Sequence, residues 1–472
     1  MLFRQYQLSC LSLFSYLIGD RSTGRAVVVD PQRDITGYLD DAKAHGLNIE
    51  RVIETHFHAD FLSGHLELAE ATGAVISYGS EASAEFPIEP LAHGQRIELG
   101  EVVLEVRHTP GHTPESISVV VWEHTGDRAP FGVLTGDALF VGDVGRPDLL
   151  TSVGFTAEDL ARRLYRSLHD QLLSLPDETR VFPAHGAGSA CGKSMSDAVS
   201  STIGEQRRWN YALQPMSEDT FVEVVTHGQS VAPLYFAFTA DANRRRRDLL
   251  DDAQPPAHLS ADDLQRCQRE GAVVLDGRAP ETFASGHVRG SVNVGLDGRF
   301  AEYAGDVIRP GQPVVVVADA GRETEAKVRL ARIGFDRVRG AVVDVERVLA
   351  EHPDLAERAT RLAAADLASW QGDEPGLQVV DVRNPAEQEA GVLPGALTMP
   401  LPQLLDRHGE LDAGAPTVVY CAGGYRSSTA ASLLRSLGFT RVADLQGGYH
   451  AWTTAGLPTT HPRPHTLPGT RT

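Results

Sequence analysis

Glu54-Thr55-His56-Phe57-His58-Ala59-Asp60-Phe61 is the segment that decides how the first half of this 472-residue chain is interpreted. It places two imidazoles and a carboxylate at alternate positions, and these are side chains that bind transition metals. The next position carries Phe61, whose ring offers no lone pair to a cation. The segment therefore predicts a metal site to which position 61 contributes no ligand.

Three further segments carry histidine or aspartate close to short apolar runs: Thr109-Pro110-Gly111-His112-Thr113, Thr135-Gly136-Asp137-Ala138 and Val181-Phe182-Pro183-Ala184-His185-Gly186. The neighbouring runs at 102–106, 117–122 and 131–134 have the β-branched composition of strands. Strand ends are where a rigid scaffold presents functional side chains. Four such motifs in one chain predict a shared metal site rather than isolated core histidines.

In this order, the four segments resemble the metal motifs of the metallo-β-lactamase superfamily, and within it those of the persulfide dioxygenases, over roughly residues 1–240. The resemblance implies an αββα sandwich. It also implies one Fe(II) per chain, bound by His56, His112 and Asp137. Four more residues are expected to contact substrate or to support the ligands, namely His58, Asp60, Arg146 and His185. For Arg146, a structural ion pair with Asp148 is the alternative.

A face of two histidines and one carboxylate suits Fe(II) and leaves coordination positions for a substrate sulfur and for O₂. The activity that the resemblance implies is oxidation of a low-molecular-weight persulfide, such as that of glutathione, coenzyme A or bacillithiol, to sulfite and the thiol. Two other interpretations stay open: a zinc thiolester hydrolase of glyoxalase II type, and a sulfur-carrier scaffold with a non-catalytic first domain. Phe61 separates the hydrolase from the dioxygenase, because the hydrolase motif has a histidine there for its second metal.

The second half of the chain contains an internal repeat. Asp276-Gly277-Arg278-Ala279-Pro280 returns 105 residues later as Asp381-Val382-Arg383-Asn384-Pro385, and the glycines at 286 and 290 return at 391 and 395. Each copy alternates strand-like and helix-like segments, which predicts a parallel α/β sheet flanked by helices. Both copies resemble rhodanese domains, the first over roughly residues 258–355 and the second over roughly residues 362–460.

The second copy carries a loop that the first copy lacks, Cys421-Ala422-Gly423-Gly424-Tyr425-Arg426, directly after the apolar run 417–420. It resembles the rhodanese catalytic loop Cys-x-x-Gly-x-Arg. A tight, glycine-containing turn that leads into a helix directs backbone N–H groups inward, which stabilises a thiolate or a persulfide. We therefore expect Cys421 to carry sulfane sulfur, with Arg426 adding positive charge. The loop that surrounds the persulfide is expected to comprise Ala422, Gly423, Gly424 and Tyr425.

In the first copy the matching turn reads Ala318-Asp319-Ala320-Gly321-Arg322-Glu323 and contains no cysteine. This copy is expected to be inactive, as a spacer, a docking surface or part of a channel. The predicted organisation is a metal domain at 1–240, a linker at 241–257, an inactive copy at 258–355, an active copy at 362–460 and a tail at 461–472. The fusion suggests that Cys421 passes sulfur to sulfite and so yields thiosulfate.

Composition limits the class of protein and its partners. A net charge of −20 argues against nucleic-acid binding, and no apolar run reaches the ~20 residues of a membrane span. Four scattered cysteines and the absence of a secretory signal predict a cytoplasmic protein with reduced thiols. The expected small-molecule partners are persulfide, O₂ and sulfite, while a homo-oligomer stays open.

Four local expectations complete the sequence interpretation. Residues 8–18 are expected to form an early sheet strand, and the arginines at 244–247 to form a solvated helix end before the linker. Cys267 is expected to be a structural residue on a helix. Cys191 is expected to be structural, with a role in handling persulfide sulfur as the alternative.

Overall fold

Two six-stranded sheets form the centre of the first half of the chain, in the computed structural model, which describes residues 1–149 and 154–461. The strands of the first sheet lie in chain order: β1 (Leu2–Leu8), β2 (Leu13–Asp20), β3 (Arg25–Val29), β4 (Asn48–Ile53), β5 (Val75–Gly79) and β6 (Glu89–Leu91). The second sheet also follows chain order: β7 (Arg96–Glu98), β8 (Val103–His108), β9 (Ile117–Trp122), β10 (Gly132–Gly136), β11 (Arg180–Pro183) and β12 (Ser201–Thr202). The helices of this half are α1 (Thr36–Ala44), α2 (His65–Thr72), α3 (Ala157–Arg166), α4 (Ile203–Trp209), α5 (Glu218–Thr226) and α6 (Phe236–Ala242).

The two sheets pack face to face because alternate side chains of a strand point to opposite faces. In β9, Ile117, Val119 and Val121 join the core between the sheets, whereas Val120 packs with Leu164 of α3. Helices α1 and α2 cover the outer face of the first sheet, and α3 to α5 cover the outer face of the second. This layering of helix, sheet, sheet and helix confirms the predicted αββα sandwich.

The four motif segments follow strand ends, as the sequence predicts. β4 ends one residue before Glu54, β8 ends at His108, β10 at Gly136 and β11 at Pro183. The strands β10 and β11 pair in parallel, so their carboxyl ends lie at the same edge of the sheet. Loops after these strands therefore bring Asp137 and His185 to one place.

Residues 8–18 do not form one strand, so that expectation is wrong. β1 ends at Leu8, a turn in which Ser12 has a φ of 54° follows, and β2 begins at Leu13. The two strands then pair antiparallel as a hairpin. The sequence does not mark this turn, because residues 9–12 include no glycine or proline and the fully buried β2 follows them directly.

The arginine run at 244–247 is only partly solvated, which corrects the second local expectation. Arg245 and Arg246 are exposed, but the Arg244 guanidinium lies 4.6 Å from the centre of the Phe57 ring. Arg247 pairs with both carboxylate oxygens of buried Glu67, at 2.6 and 2.9 Å. Two of the four charges are therefore used for packing within the first unit.

The two copies of the repeat each contain a parallel sheet. The first copy has sheet order β15-β13-β16-β17, and the second has order β19-β23-β22-β20-β21. The strands of the first copy are β13 (Val273–Asp276), β14 (His287–Val288), β15 (Val292–Asn293), β16 (Val314–Val317), β17 (Val338–Val342) and β18 (Ala356–Glu357). Its helices are α7 (Ala261–Arg269), α8 (Pro280–Ser285), α9 (Phe300–Val307), α10 (Glu323–Ala331) and α11 (Val345–Glu351).

The second copy repeats the alternation of strands and helices. Its strands are β19 (Thr360–Leu362), β20 (Gln378–Asp381), β21 (Leu397–Thr398), β22 (Thr417–Tyr420) and β23 (Val442–Leu445). Its helices are α12 (Ala364–Asp373), α13 (Pro385–Glu389), α14 (Leu401–Arg407), α15 (Tyr425–Ser436) and α16 (Gly448–Thr454). The two α/β copies confirm the predicted fold class. Cys267 is buried on α7, as expected.

Residue contacts divide the chain into two units. The first is Met1–Gln254 with Val328–Phe335, and the second is Pro255–Lys327 with the described residues from Asp336 onward. Both repeat copies thus belong largely to the second unit, while the finer boundaries at 240, 258, 355, 362 and 460 stay predictions. Within residues 1–149 and 154–461, every helix is too short or too polar to span a bilayer.

Candidate functional site

Three buried side chains of the first unit, those of His56, His112 and Asp137, converge with their metal-binding atoms within 4.8 Å of one another. Asp137 Oδ2 lies 3.8 Å from His56 Nε2 and 3.5 Å from His112 Nε2. His56 Nε2 and Asp137 Oδ2 are fully buried and have no hydrogen-bond partner among the described residues. Since leaving such groups unpaired costs about 1–3 kcal/mol each, this donor set fits a bound cation.

The opposite ring nitrogens of both histidines are engaged, which decides their tautomers. His112 Nδ1 lies 2.9 Å from the carbonyl oxygen of Arg146, which can only accept, so the proton sits on Nδ1. Thr55 donates its hydroxyl proton to Asp30 at 2.9 Å, and His56 Nδ1 therefore donates to the Thr55 oxygen at 2.9 Å. Both Nε2 atoms are left with lone pairs that face Asp137.

His185 contacts Asp137 at the carboxylate oxygen that does not face His56 and His112. Its Nδ1 lies 2.7 Å from Asp137 Oδ1, and its Nε2 lies 2.7 Å from Asp60 Oδ2. Burial acts to lower the pKa of His185, but the carboxylates of Asp137 and Asp60 outweigh it and raise the pKa well above its ordinary value. Burial acts to raise the pKa of Asp137, but the charge and the hydrogen bond of His185 hold it below its usual range. Asp137 is thus held ionised, with Oδ2 directed away from His185.

His58 and Phe61 lie next to this cluster without joining the three ligands. His58 Nε2 is 3.1 Å from Asp30 Oδ1 and 3.5 Å from Glu54 Oε2, on the side of the buried carboxylates. The Phe61 ring is 1% exposed and stands 4.3 Å from the His58 ring. An apolar ring therefore fills the space beside His58, and Asp60 reaches His185 instead.

The Arg146 side chain is buried and hydrogen-bonded within the protein, so its guanidinium is not exposed to bind an anionic substrate. Its guanidinium donates two 2.7 Å hydrogen bonds to the carboxylate of Asp148 and a third, at 3.1 Å, to the carbonyl of Ala190. Its own carbonyl is the group that orients His112. The geometry therefore favours the structural ion pair that was the alternative for Arg146.

The segment at residues 235–243 holds the backbone of the metal motif in place, and this role has no readable signal in the sequence. Asn243 Nδ2 donates to the carbonyls of His58 and Phe61 at 2.8 and 2.9 Å, and Asn243 Oδ1 accepts from the amide of Ser63 at 2.9 Å. The hydroxyl of Tyr235 donates to the carbonyl of Asp60 at 3.0 Å. Buried polar backbone groups of a loop need such partners, and a distant segment supplies them here.

Cys191 lies beside the cluster and is 1% exposed. Its sulfur belongs to a group of potential ligand atoms with Asp137 and His185 that lie within 4.8 Å of one another. Burial, together with the carboxylates of Asp60 and Asp137, raises the pKa of the Cys191 thiol well above its ordinary value. A buried thiol of this kind is a poor nucleophile, which favours the structural role.

The loop at residues 421–426 surrounds the sulfur of Cys421. The N–H of Gly424 donates to Cys421 Sγ at 3.1 Å, and the Ser427 hydroxyl lies 3.6 Å from the same sulfur. Gly424 has a φ of 98°, which lets the chain turn directly into α15. The Arg426 guanidinium is held by both oxygens of Glu387, at 2.8 and 2.6 Å, so its charge is compensated.

Helix α16 approaches the cysteine loop from behind, and the sequence interpretation missed it. The N–H of Tyr449 donates to the carbonyl of Cys421 at 2.7 Å, and that of His450 donates to the carbonyl of Ala422 at 3.0 Å. A Cβ atom at Gly448 would lie 2.2 Å from the Cys421 carbonyl oxygen. The glycine pair at 447–448 was the signal, since only glycine permits this approach.

Comparison with known proteins agrees with this architecture. A family model described as Metallo-beta-lactamase superfamily matches residues 9–185, and one described as Rhodanese-like domain matches residues 260–340 and 363–455. A crystal structure of a metallo-beta-lactamase from Staphylococcus aureus subsp. aureus COL is similar with a TM-score of 0.65 and 33% identity, covering 72% of this chain and 98% of that one.

Among curated proteins, persulfide dioxygenase ETHE1 of Bos taurus is 32% identical over 240 residues, covering 49% of this chain and 83% of that protein. The Homo sapiens protein of the same name is 32% identical over 237 residues with the same coverage. With this identity over most of the mammalian proteins, the chain belongs to the persulfide dioxygenase family of the metallo-β-lactamase superfamily and carries two rhodanese-like domains in its second half.

Proposed function

We propose that the first unit oxidises a low-molecular-weight persulfide at a single Fe(II) bound by His56, His112 and Asp137. The balanced reaction is R–S–S⁻ + O₂ + H₂O → R–SH + SO₃²⁻ + H⁺, in which the terminal sulfur is oxidised and O₂ is reduced. The observation that carries this proposal is the convergence of two imidazole lone pairs and one carboxylate oxygen in a buried site. Fe(II) in such a site would supply open coordination positions and redox chemistry for sulfur and O₂.

The residues of the chain have separable tasks in this proposal. Asp30, through Thr55, and the Arg146 carbonyl hold the two histidines in the tautomer that leaves Nε2 free. His185 holds Asp137, and Phe61 keeps an apolar ring where the hydrolase motif has a metal ligand. The buried surroundings exclude bulk water, so the persulfide anion would gain from the positive charge of a bound cation.

Oxygen consumption with glutathione, coenzyme A and bacillithiol persulfides, combined with metal analysis of anaerobically purified protein, tests the first activity. We expect one iron per chain, O₂ uptake with sulfite formation, and loss of both in His56→Ala. His124→Ala is the matched control, because the His124 side chain is 55% exposed and its ion-pair contacts, to Glu101 and Asp127, are at the surface. Two zinc ions per chain with O₂-independent hydrolysis of a thiolester would contradict the proposal.

We further propose that Cys421 transfers sulfane sulfur and couples the two activities. The Cys421 thiolate attacks the terminal sulfur of R–S–SH, the S–S bond breaks, and R–SH leaves with the proton. Cys421–S–S⁻ then gives that sulfur to SO₃²⁻, which becomes S₂O₃²⁻ and restores the thiolate. The N–H of Gly424 and the adjoining helix end support negative charge on the sulfur in both states.

The product ratio tests the coupling. In Cys421→Ala we expect O₂ uptake to be unchanged, thiosulfate to disappear and sulfite to rise by the missing amount. Cys10→Ser, which alters a partly exposed thiol of the first unit, should keep the wild-type ratio. Thiosulfate output that survives in Cys421→Ala would show that the two activities are uncoupled. The carrier thiol, a cytoplasmic location, a homo-oligomeric state and the domain boundaries stay predictions.

A further inference from the structure

The first copy, whose turn at residues 318–323 lacks a cysteine, contacts the helix that begins at the Cys421 loop of the second copy. Within the second unit, β15 and α9 of the first copy pack against α15. We call residues 292–303, from β15 into α9, the anchoring segment. Its contacts concentrate at Asn293, Gly295, Gly298 and Tyr303, and they meet α15 at Tyr425, Ser428 and Ser432.

Asn293 lies in a buried hydrogen-bond network that uses both its side-chain groups. Its Oδ1 accepts from the hydroxyl of Ser428 at 2.7 Å, and its backbone N–H donates to the hydroxyl oxygen of Ser432 at 2.8 Å. Its Nδ2 donates to the carbonyls of Asp276 and Arg278 at 3.0 and 2.9 Å, which fixes the orientation of the amide. These hydrogen bonds therefore fix the position of α15 along its axis relative to β15 of the first copy.

Tyr425 forms the second attachment, one residue after the turn. Its hydroxyl donates to the carbonyl of Gly295, and its ring stands 5.5 Å from the ring of Tyr303. A Cβ atom at Gly298 would lie 2.5 Å from the Tyr425 ring, so the anchoring segment has no room for a larger residue there. The first residue of α15 is thus held by two contacts from the first copy.

These attachments bear directly on the sulfur, because the amide that donates to Cys421 Sγ belongs to Gly424, the residue before Tyr425. A shift of α15 along its axis moves that N–H away from Sγ, and hydrogen bonds weaken steeply with distance and angle. We propose that Asn293, Gly295 and Gly298 of the first copy are positioning residues for the Cys421 loop. The first copy, whose own turn lacks a cysteine, is then a required part of the sulfur-transfer site, an inference that rests on the proposed role of Cys421.

Two serines of the same helix provide the test. Ser428→Ala removes the link to Asn293, whereas Ser436→Ala is the control, because the Ser436 hydroxyl donates to the carbonyl of Leu433 within α15. The readouts are sulfur transfer from thiosulfate to cyanide and the rate and pH profile of Cys421 alkylation by iodoacetamide, followed by mass spectrometry. We expect Ser428→Ala and Asn293→Ala to lower both rates by about two- to tenfold, which corresponds to the free energy of one hydrogen bond. Both variants should also shift the pH profile of alkylation to higher pH.

Tyr425→Phe and Gly298→Ala examine the second attachment with milder changes. Tyr425→Phe keeps the ring and should give the same shift in pH profile as Ser428→Ala. Gly298→Ala should impair transfer in the wild-type background more than in Tyr425→Ala, because the two side chains compete for one space. The inference is wrong if Ser428→Ala matches Ser436→Ala and Tyr425→Phe leaves the profile unmoved. Failure of the proposed function looks different: Cys421→Ala would then retain transfer.

Discussion

Arg278 in the first repeat copy and Arg383 in the second make nearly the same contacts. Each guanidinium binds the carboxylate of the aspartate two residues earlier, with NH2 to Oδ2 distances of 2.7 and 2.6 Å, and donates to the carbonyl eight residues later. Both arginines are 2% exposed. The Asp-x-Arg signature is therefore a structural element, which is present whether or not a copy carries the catalytic cysteine.

The two copies differ in one turn, which follows β16 in the first copy and β22 in the second. Gly321 and Gly424 occupy matching positions with φ of 86° and 98°, so the shape of the turn is retained. Three residues before these glycines stand Ala318 and Cys421, and two residues after them stand Glu323 and Arg426. The first copy thus lacks the cysteine and has a glutamate where the second copy has an arginine, while the glycine keeps its left-handed φ.

A second difference concerns the helix that follows the next strand. At matching positions α16 begins with Gly448 and α11 begins with Val345, and only a glycine lets a helix lie against the loop carbonyl as α16 does. Val345 instead packs in the core of the first copy. The fold of a copy therefore requires neither the cysteine loop nor a helix packed against it, and the proposed sulfur transfer is expected to need both.

Among the substitutions that compare the two copies, exchange of the cysteine should have the largest effect on sulfur transfer. Cys421→Ala should reduce sulfur transfer to background, and adding Ala318→Cys should restore no more than about 1% of it, because the carboxylate of Glu323, close to position 318 in the turn, would disfavour a thiolate there. Cyanide-dependent thiocyanate formation measures both variants. Substantial recovery in the double variant would mean that the turn alone suffices.

Loss of the buried aspartates should destabilise both copies. Asp276→Asn and Asp381→Asn each leave a buried arginine without its carboxylate, at a cost of about 3–5 kcal/mol. The cost should be larger for Asp381→Asn, because Arg278 keeps an ion pair with Glu346, whereas the third contact of Arg383 is a neutral carbonyl. Hydrogen exchange of peptides from β13 and β20 measures the stability of each copy, and a cost confined to one copy would contradict a structural role shared by both.

His287 should make the stability of the first copy fall in acid, whereas the matching residue of the second copy is Val392. Burial lowers the pKa of His287 to about 4, from an ordinary value of 6.5. As the pH falls, the unfolded chain therefore takes up a proton at a higher pH than the folded chain. The contribution of His287 to the free energy of unfolding is fully present above pH 6.5 and is lost between pH 6.5 and 4, by about 3 kcal/mol in all.

His287→Val should remove this slope from the pH dependence of β13 hydrogen exchange while leaving the slope of the second copy unchanged. The control is His258→Val, since the His258 side chain is 60% exposed. An unaltered slope in His287→Val would assign the acid sensitivity of the first copy to other groups.

Helix α16 can be probed at Gly448 with the smallest possible side chain, that of alanine. Gly448→Ala places a methyl group against the Cys421 carbonyl and should cost about 1–3 kcal/mol, as overpacking does, with sulfur transfer reduced about tenfold or more. Val345→Ala, its counterpart, should leave transfer within about twofold. Steady-state transfer rates decide between these outcomes, and equal losses in both variants would refute a special role for α16.

The two turn glycines should show the smallest difference. Gly321→Ala and Gly424→Ala both force a left-handed conformation on a residue with a Cβ, at about 1 kcal/mol. Gly424→Ala should cost somewhat more, because its Cβ would meet the amide of Gly447 at 3.0 Å, whereas the space at Gly321 is open. Thermal unfolding of the two variants measures the difference, and identical values would mean that the loop yields without cost.

Several features of the site follow from local sequence signals. The order of His56, His112, Asp137 and His185 at strand ends is readable because strands and turns have local composition, and the repeat is readable from its spacing. The contacts of Asp30, Asn243 and Asn293 are not readable, because each joins residues far apart in the chain: Asn243 and the carbonyl of His58 are 185 positions apart. Burial of Arg244 and Arg247 was missed for the same reason.

By itself the sequence determined which chemical groups this protein has: the histidines and aspartates of the candidate metal site, the phenylalanine beside them, one cysteine loop and a repeat copy whose turn lacks the cysteine. These properties depend on residue type and short spacing. Only the tertiary structure decided which nitrogen of each histidine is free, which carboxylate holds which imidazole, and which helices and strands support the Cys421 loop. Those outcomes depend on hydrogen bonds between distant segments, and such partners are set by packing rather than by local pattern.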